Sequence, residues 1–242
     1  MIQFYAPDIA ASPFLPENES IHCSRVLRKQ TGDKIYVTDG KGQRYLCEVL
    51  NPHPKHTEVK VIQIEKLQSE RDYSLILAVA PTKNSDRIEW MLEKAIEVGV
   101  DKIIFLRCDR SERKTVRLDR LYKIAISAMN QSLSVLLPEI EEITSYKSFI
   151  ESFGNEVQKF FGYCSESFPK REFVKECKPG GRLVIMIGPE GDFTENEVEE
   201  AVKCGFIPVT FGNKRLRTET AGVYAVCAVN VINQLNSGYK LK

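Results

Sequence analysis

In the first part of the chain, apolar side chains recur at every second position. Lys34-Ile35-Tyr36-Val37-Thr38-Asp39 alternates in this way and stops at Asp39-Gly40-Lys41-Gly42, a strong hairpin signal. Arg44-Tyr45-Leu46-Cys47-Glu48-Val49-Leu50 supplies the returning strand. Asn51-Pro52-His53-Pro54 breaks it, and Glu58-Val59-Lys60-Val61-Ile62-Gln63-Ile64 alternates again. Residues 20–30 read as one short helix closed by Thr31-Gly32-Asp33. Short strands divided by turns predict a small β-barrel.

From Tyr73 the period changes. Ser74-Leu75-Ile76-Leu77-Ala78-Val79-Ala80 is continuously apolar, as in a strand buried on both faces, and Pro81 ends it. Ile88, Met91, Leu92, Ala95 and Ile96 then fall at helical spacing over residues 86–99, with Gly99 placed to end the helix. Strands follow at residues 102–106, 159–163, 182–187 and 208–211, and helices at 118–136, 194–205 and 218–235. Strand–helix alternation predicts an α/β fold, a parallel sheet with helices on both faces. The pattern divides the chain near residues 67–72, giving a β-barrel over 1–70 and an α/β domain over 71–242.

Composition narrows the function. The 242 residues are 43% hydrophobic and 28% charged, an ordinary globular balance. No apolar run approaches the roughly 20 residues of a membrane span. The N-terminus has neither a basic n-region nor a long apolar segment, so a cytoplasmic protein without a signal peptide is expected. Seven cysteines are scattered without a CxxC pair, which predicts neither a metal site nor a disulfide framework. Cys164 is set apart by its place in a loop after a strand. The net charge of +1 makes any nucleic-acid contact local. One basic run stands out: Arg107, Arg110, Arg113, Lys114, Arg117 and Arg120 outnumber Asp109, Glu112 and Asp119. It reads equally as a polyanion surface and as a solvated helix face with its loop.

Two junctions carry candidate chemistry. Gly188-Pro189-Glu190-Gly191-Asp192-Phe193-Thr194 follows a buried strand and opens a helix, with Thr194 and Glu197 spaced as a capping box. Phe211-Gly212-Asn213-Lys214-Arg215-Leu216-Arg217-Thr218-Glu219-Thr220-Ala221 does the same after the next strand, with Thr218 as a candidate cap. Open α/β sheets bind ligands at the carboxyl ends of strands, where such junctions lie. Taken alone, the first also reads as a tight turn that needs glycine, and the second as an ordinary capped helix with solvated arginines. The GxGxxG and GxxxxGK phosphate fingerprints are absent, which disfavours an NAD-binding enzyme.

Both segments resemble the RsmE family of 16S rRNA uridine-N3 methyltransferases, within the SPOUT superfamily. The family's Gly-Pro-Glu-Gly-Gly-Phe loop is matched at Gly188, Pro189, Glu190, Gly191 and Phe193, with Asp192 at the remaining position. Its Leu-Arg-Thr-Glu-Thr-Ala loop is matched from Leu216 to Ala221. Further similarity lies at His22, Arg25-Val26-Leu27-Arg28 and Gly32-Asp33, at Lys83 and Glu93-Lys94-Ala95-Ile96-Glu97-Val98-Gly99-Val100, at Arg107 and Arg110-Ser111-Glu112-Arg113, and at Gln131-Ser132 and Pro138. Ser134 stands where the family usually has arginine.

The resemblance implies an N-terminal PUA-like RNA-binding barrel and a C-terminal SPOUT domain with a deep trefoil knot, which periodicity does not reveal. It implies a homodimer acting on 16S rRNA of the small ribosomal subunit, with S-adenosyl-L-methionine as cofactor. Cofactor contacts are then expected from Gly188, Pro189, Glu190 and Gly191 of one loop. The other loop is expected to offer Phe211, Gly212, Leu216, Arg217 and Thr218, and the Tyr163-Cys164-Ser165-Glu166 turn a third wall. Arg25, Arg28, Lys29, Lys83, Arg110 and Arg113 are expected to meet RNA phosphates.

Uracil N3 is a poor nucleophile until its proton leaves, so the site needs a base or a cation that favours the anion. Arginine is always charged and does not act as a base. Arg217 is therefore expected as the stabilising cation. Glu219, the one carboxylate of its loop, is expected to accept the proton, to pair with Arg217 or to stabilise the helix N-terminus. The alternative reading is a catalytically silent RNA-binding assembly protein with the same fold, for which Asp192 and Ser134 leave room.

Overall fold

The computed structural model describes residues 2–66 and 71–236. Leu67 to Glu70, on which most of the expected division falls, lie outside the described residues. Two compact units emerge. One comprises Met1–Glu70 with Ile126–Leu137, the other Arg71–Ala125 with Pro138–Lys242. The grouping of residues 126–137 with the first unit has no signal in a linear pattern.

In the first unit, β1 (Gln3–Tyr5), β2 (Lys34–Thr38), β3 (Gln43–Asn51) and β4 (Glu58–Lys66) form a sheet in that order. β1 runs parallel to β2, and the other pairs are antiparallel. Alternate residues Ile35, Val37, Tyr45, Cys47, Val49 and Val59 point into one core with Phe4. The predicted hairpin forms. The Asp39 carboxylate accepts from the amides of Lys41 (2.7 Å) and Gln43 (3.1 Å).

The helix expected over 20–30 is shifted. α1 (Glu17–Ile21) begins after Pro16 and runs into a π-helical turn (His22–Val26). It ends early because Arg28 turns left-handed (φ 50) and the Lys29 amide reaches back to the Cys23 carbonyl (3.0 Å). Glu19 of α1 is half-buried. Its Oε1 accepts from Asn130 (3.4 Å) while its Oε2 has no partner, and burial pushes the carboxyl up to about 7.

The second unit holds a seven-stranded, all-parallel sheet. In sequence order the strands are β5 (Tyr73–Val79), β6 (Lys102–Arg107), β7 (Glu139–Ser145), β8 (Val157–Gly162), β9 (Arg171–Glu172), β10 (Gly181–Ile187) and β11 (Ile207–Thr210). In space they lie β7-β6-β5-β10-β8-β11-β9. α2 (Ser85–Val98) and α7 (Thr218–Asn236) pack together, α7 also against β5 and β10. α4 (Tyr146–Ile150) packs on β6 and on α6 (Glu195–Lys203), whose other neighbour is β11. The central strands are buried toward their carboxyl ends, where their apolar runs lie.

α2 ends at Gly99 (φ 115) as expected. α3 (Leu118–Gln131) stops short of the expected residue 136. Leu133 adopts φ 58 and the Ser134 amide bonds to the Met129 carbonyl (3.0 Å), closing the helix. β7, α4, β9 and α5 (Phe173–Glu176) were not expected. Among the described residues no helix is long and apolar enough to cross a membrane.

Candidate functional site

The carboxyl ends of β8, β10 and β11 meet at one cavity of about 1080 Å³. Each end releases a loop, and the three loops are fixed to one another. The first follows β10. Pro189 to Asp192 form a tight turn in which the Asp192 amide donates to the Pro189 carbonyl (2.9 Å). Thr194 caps α6 in a full capping box with Glu197, as its spacing predicted. Gly188 is hard against the Phe193 ring: an added Cβ would lie 3.0 Å from it.

The second loop follows β11 and enters α7. Thr218 does not cap that helix. Its buried hydroxyl donates to the Gly188 carbonyl (3.2 Å) and so ties the second loop to the first. Arg217 supplies the first helical acceptor instead, taking the Ala221 amide (2.8 Å). Gly212 adopts φ 110, and nothing lies within 4 Å of where a side chain would project from it. Gly212 also lines the cavity. Phe211 stacks edge-on against Phe173, and its ring leaves room only for glycine at 162.

The third loop, Tyr163 to Glu166, is tied to the first by Asp192. Its Oδ2 accepts from the amides of Cys164 (3.0 Å) and Ser165 (3.2 Å). Asp192 also sits at φ 63, a left-handed conformation that suits glycine and that aspartate tolerates better than most residues. The position that departs from the family loop is therefore both explained and put to use. Lys170 closes the same loop by donating to the carbonyls of Cys164 (3.0 Å) and Ser165 (2.9 Å). Burial and the Asp192 carboxylate raise the Cys164 thiol above its ordinary range, which disfavours a nucleophilic role.

All nine residues expected at the cofactor line this cavity. Its size suits a cofactor with a base, a sugar and an amino-acid tail. Buried Ile187 and Val209, with Leu216 and Ala221, provide an apolar floor. The backbone-rich walls around Gly188, Gly191 and Gly212 let a ligand approach main-chain groups closely. The donor set therefore fits S-adenosyl-L-methionine. Among the described residues no cluster of His, Cys, Asp and Glu could hold a metal ion.

The residues expected at RNA fall in different places. Arg25 and Arg28 are exposed on the first unit, and Lys29 pairs with Asp33 at 3.9 Å. Lys83 is exposed beside Glu112 (3.6 Å). Arg110 lines the cavity and donates to the Gly191 carbonyl (2.7 Å). Arg113 donates to the carbonyls of Thr82 (3.1 Å) and Lys83 (2.6 Å). Both arginines thus hold loops of their own domain. Ser134, where the family usually has arginine, accepts from Gln3 at its carbonyl (2.6 Å), and its hydroxyl bonds locally to the backbone of Leu136.

Arg87 was missed by sequence reasoning. It lies on α2 with no motif of its own, yet it stands 3.7 Å from Glu190 of the first loop and 3.6 Å from Glu219 of the second. Glu219 is buried, and its Oε2 has no partner. Arg87, Arg215, Leu216 and Arg217 also line a second, adjoining cavity of about 590 Å³, together with Glu219 and Trp90.

Comparison with known proteins shows the family. Residues 69–230 match the RNA methyltransferase domain family, and residues 15–62 match the RNA methyltransferase PUA domain. The chain is 27% identical over 229 residues to ribosomal RNA small subunit methyltransferase E of Bacillus subtilis, covering 90% of this chain and 89% of that protein. A Porphyromonas gingivalis protein, named as a probable rRNA-methyltransferase, is 38% identical with a TM-score of 0.93, covering 98% of this chain and all of its own. Ribosomal RNA small subunit methyltransferase E of Neisseria gonorrhoeae, solved with S-adenosyl methionine bound, is 29% identical with a TM-score of 0.85 and covers 96% of this chain and 97% of its own. With two thirds of its length matched by the methyltransferase domain and a PUA domain before it, this chain belongs to the RsmE family of RNA methyltransferases.

Proposed function

We propose that the protein is an S-adenosyl-L-methionine-dependent methyltransferase of ribosomal RNA that methylates N3 of a uridine in 16S rRNA of the small subunit. The observation that carries this reading is the pair of adjoining cavities that share Arg217. One has backbone-rich walls suited to the cofactor; the other has charged and aromatic walls suited to a base.

When bound, S-adenosyl-L-methionine supplies a methyl group on a sulfonium, open to in-line attack. The first and second loops hold the cofactor and are locked together by the Thr218–Gly188 bond. Arg217, at the junction of the cavities, donates to a uracil oxygen and so favours loss of the N3 proton. Glu219 accepts that proton, and its pairing with Arg87 keeps the carboxylate in place. Both act by positioning and charge, the two demands of a displacement at a sulfonium. N3 lies on the Watson–Crick edge, so the base must be unpaired when it reacts.

The PUA unit contacts the RNA through Arg25, Arg28 and Lys29, with Lys83 of the methyltransferase unit adding positive charge. The protein works as a homodimer in the cytoplasm without a metal ion. Mass spectrometry of 16S rRNA from a strain lacking the gene tests the reading: one N3-methyluridine should disappear and return with the wild-type gene. A full complement of N3-methyluridine in the deletion strain would refute it.

A further inference from the structure

The second cavity contains groups that cofactor binding leaves unused. Trp90 is 46% exposed on α2, a large aromatic surface at the cavity wall. Glu219 is 6% exposed, and its Oε2 is sealed from solvent without a hydrogen-bond partner. A buried carboxylate oxygen left unpaired is costly, and such orphans in native proteins call for a partner that completes the site. Arg87 stands 3.6 Å from the other Glu219 oxygen, too far for a tight bond, and keeps donors to spare. Arg215 and Arg217 bring the guanidinium groups at this cavity to three, against the carboxylates of Asp86 and Glu219.

We infer that this cavity is the seat of the flipped target base, with Trp90 as its stacking face and Arg87 as a specificity-determining residue; the inference rests on the uridine reading above. The chemistry of the walls matches one base edge. Uracil presents an acceptor, a donor and an acceptor: O2, N3–H and O4. Arg87 and Arg217 donate to the oxygens. Glu219, after its terminal carboxylate rotates, accepts from N3–H. Cytosine presents an unprotonated N3 and an amino group at the same positions, so it leaves the carboxylate facing a lone pair and a guanidinium facing a donor. The remaining arginine, Arg215, is free to meet the phosphate of the flipped nucleotide. An unstacked base recovers its lost stacking on Trp90.

Trp90 is the single tryptophan of the chain, so fluorescence excited at the red edge, where the nine tyrosines do not absorb, reports on this cavity. Holoprotein saturated with S-adenosyl-L-homocysteine is titrated with a short single-stranded RNA carrying one uridine, and with its cytidine counterpart. The uridine RNA should quench the fluorescence saturably and the cytidine RNA should do so at least tenfold more weakly. Trp90→Ala should raise KM for 16S rRNA by roughly five- to hundredfold. It should leave cofactor affinity unchanged, and Trp90→Phe should restore most of the loss. Arg87→Lys should narrow the uridine-over-cytidine preference.

Fluorescence unmoved by uridine RNA, in a protein that still methylates rRNA, overturns the seat while the proposed function stands. Equal quenching by both RNAs overturns the specificity role of Arg87. Selective quenching by uridine in a protein that methylates no RNA supports the seat and refutes the proposed reaction.

Discussion

Replacing Asp192 with glycine restores the residue of the family loop and should nevertheless weaken the cofactor site. Two effects oppose each other. Asp192 sits at φ 63, where a side chain costs up to about 1 kcal/mol and glycine costs nothing. Glycine in turn loses more backbone entropy on ordering, about 0.5–1 kcal/mol, so the conformational terms nearly cancel. What remains is the loss of two bonds to one carboxylate oxygen, from the amides of Cys164 (3.0 Å) and Ser165 (3.2 Å). Bonds to an ionised acceptor contribute roughly 1.5–3 kcal/mol when buried. These two share an oxygen in an exposed loop, which screens them, so the pair is worth about 1–2 kcal/mol. If the third wall must be ordered to bind the cofactor, affinity for S-adenosyl-L-homocysteine falls about five- to thirtyfold. Calorimetric titration measures this directly. Asp192→Asn separates the terms, because the amide keeps an acceptor and the left-handed preference but loses the charge. Its affinity should fall between wild type and Asp192→Gly. If Asp192→Gly binds within twofold of wild type, the tie between the first and third loops contributes nothing and the reasoning fails.

Arg217→Ala should abolish turnover in an rRNA methylation assay while calorimetric cofactor affinity stays within a few-fold; unchanged turnover removes Arg217 from the reaction. Arg110→Ala should lower cofactor affinity about tenfold through loss of its bond to the Gly191 carbonyl, an effect visible by calorimetry without any RNA. Reversing Arg25 and Arg28 to Glu should flatten the salt dependence of RNA binding in filter assays, and an unaltered slope takes both off the RNA surface. Burial lifts the folded-state Glu19 carboxyl to about 7, above its unfolded value, so the native state holds the proton more tightly. Stability should then fall as pH rises from the ordinary carboxylate range to about 7 and level off beyond, by on the order of 3 kcal/mol. Urea unfolding of wild type and Glu19→Gln across this range checks it, since the variant should lose the slope.

Features set by neighbours in the chain were legible, and features set by distant partners were not. The capping of α6 needs only Thr194, Glu197 and the amides between them, so its spacing was enough. Thr218 satisfies the same local rule, yet its hydroxyl turns to the Gly188 carbonyl, a partner on another strand's loop. Helix α3 carries an apolar stripe that continues past its end, but Leu133 goes left-handed within the segment Ile126–Leu137 that belongs to the first unit. β7 was invisible for a different reason. It is an edge strand, and its Glu-Ile-Glu-Glu-Ile-Thr-Ser is too polar to stand out from a loop.

The site divides along the same line. Its two glycine loops announce themselves because close backbone approach demands a residue type at a fixed place. Arg87 and Trp90 sit within an amphipathic helix, where they read as ordinary polar-face residues. Their significance depends on Glu219 arriving beside them from the far end of the chain. The part of the site that holds the cofactor is thus written in motifs. The part inferred to select the base is written in tertiary contacts, and it is there that a close relative could change its substrate without changing either loop.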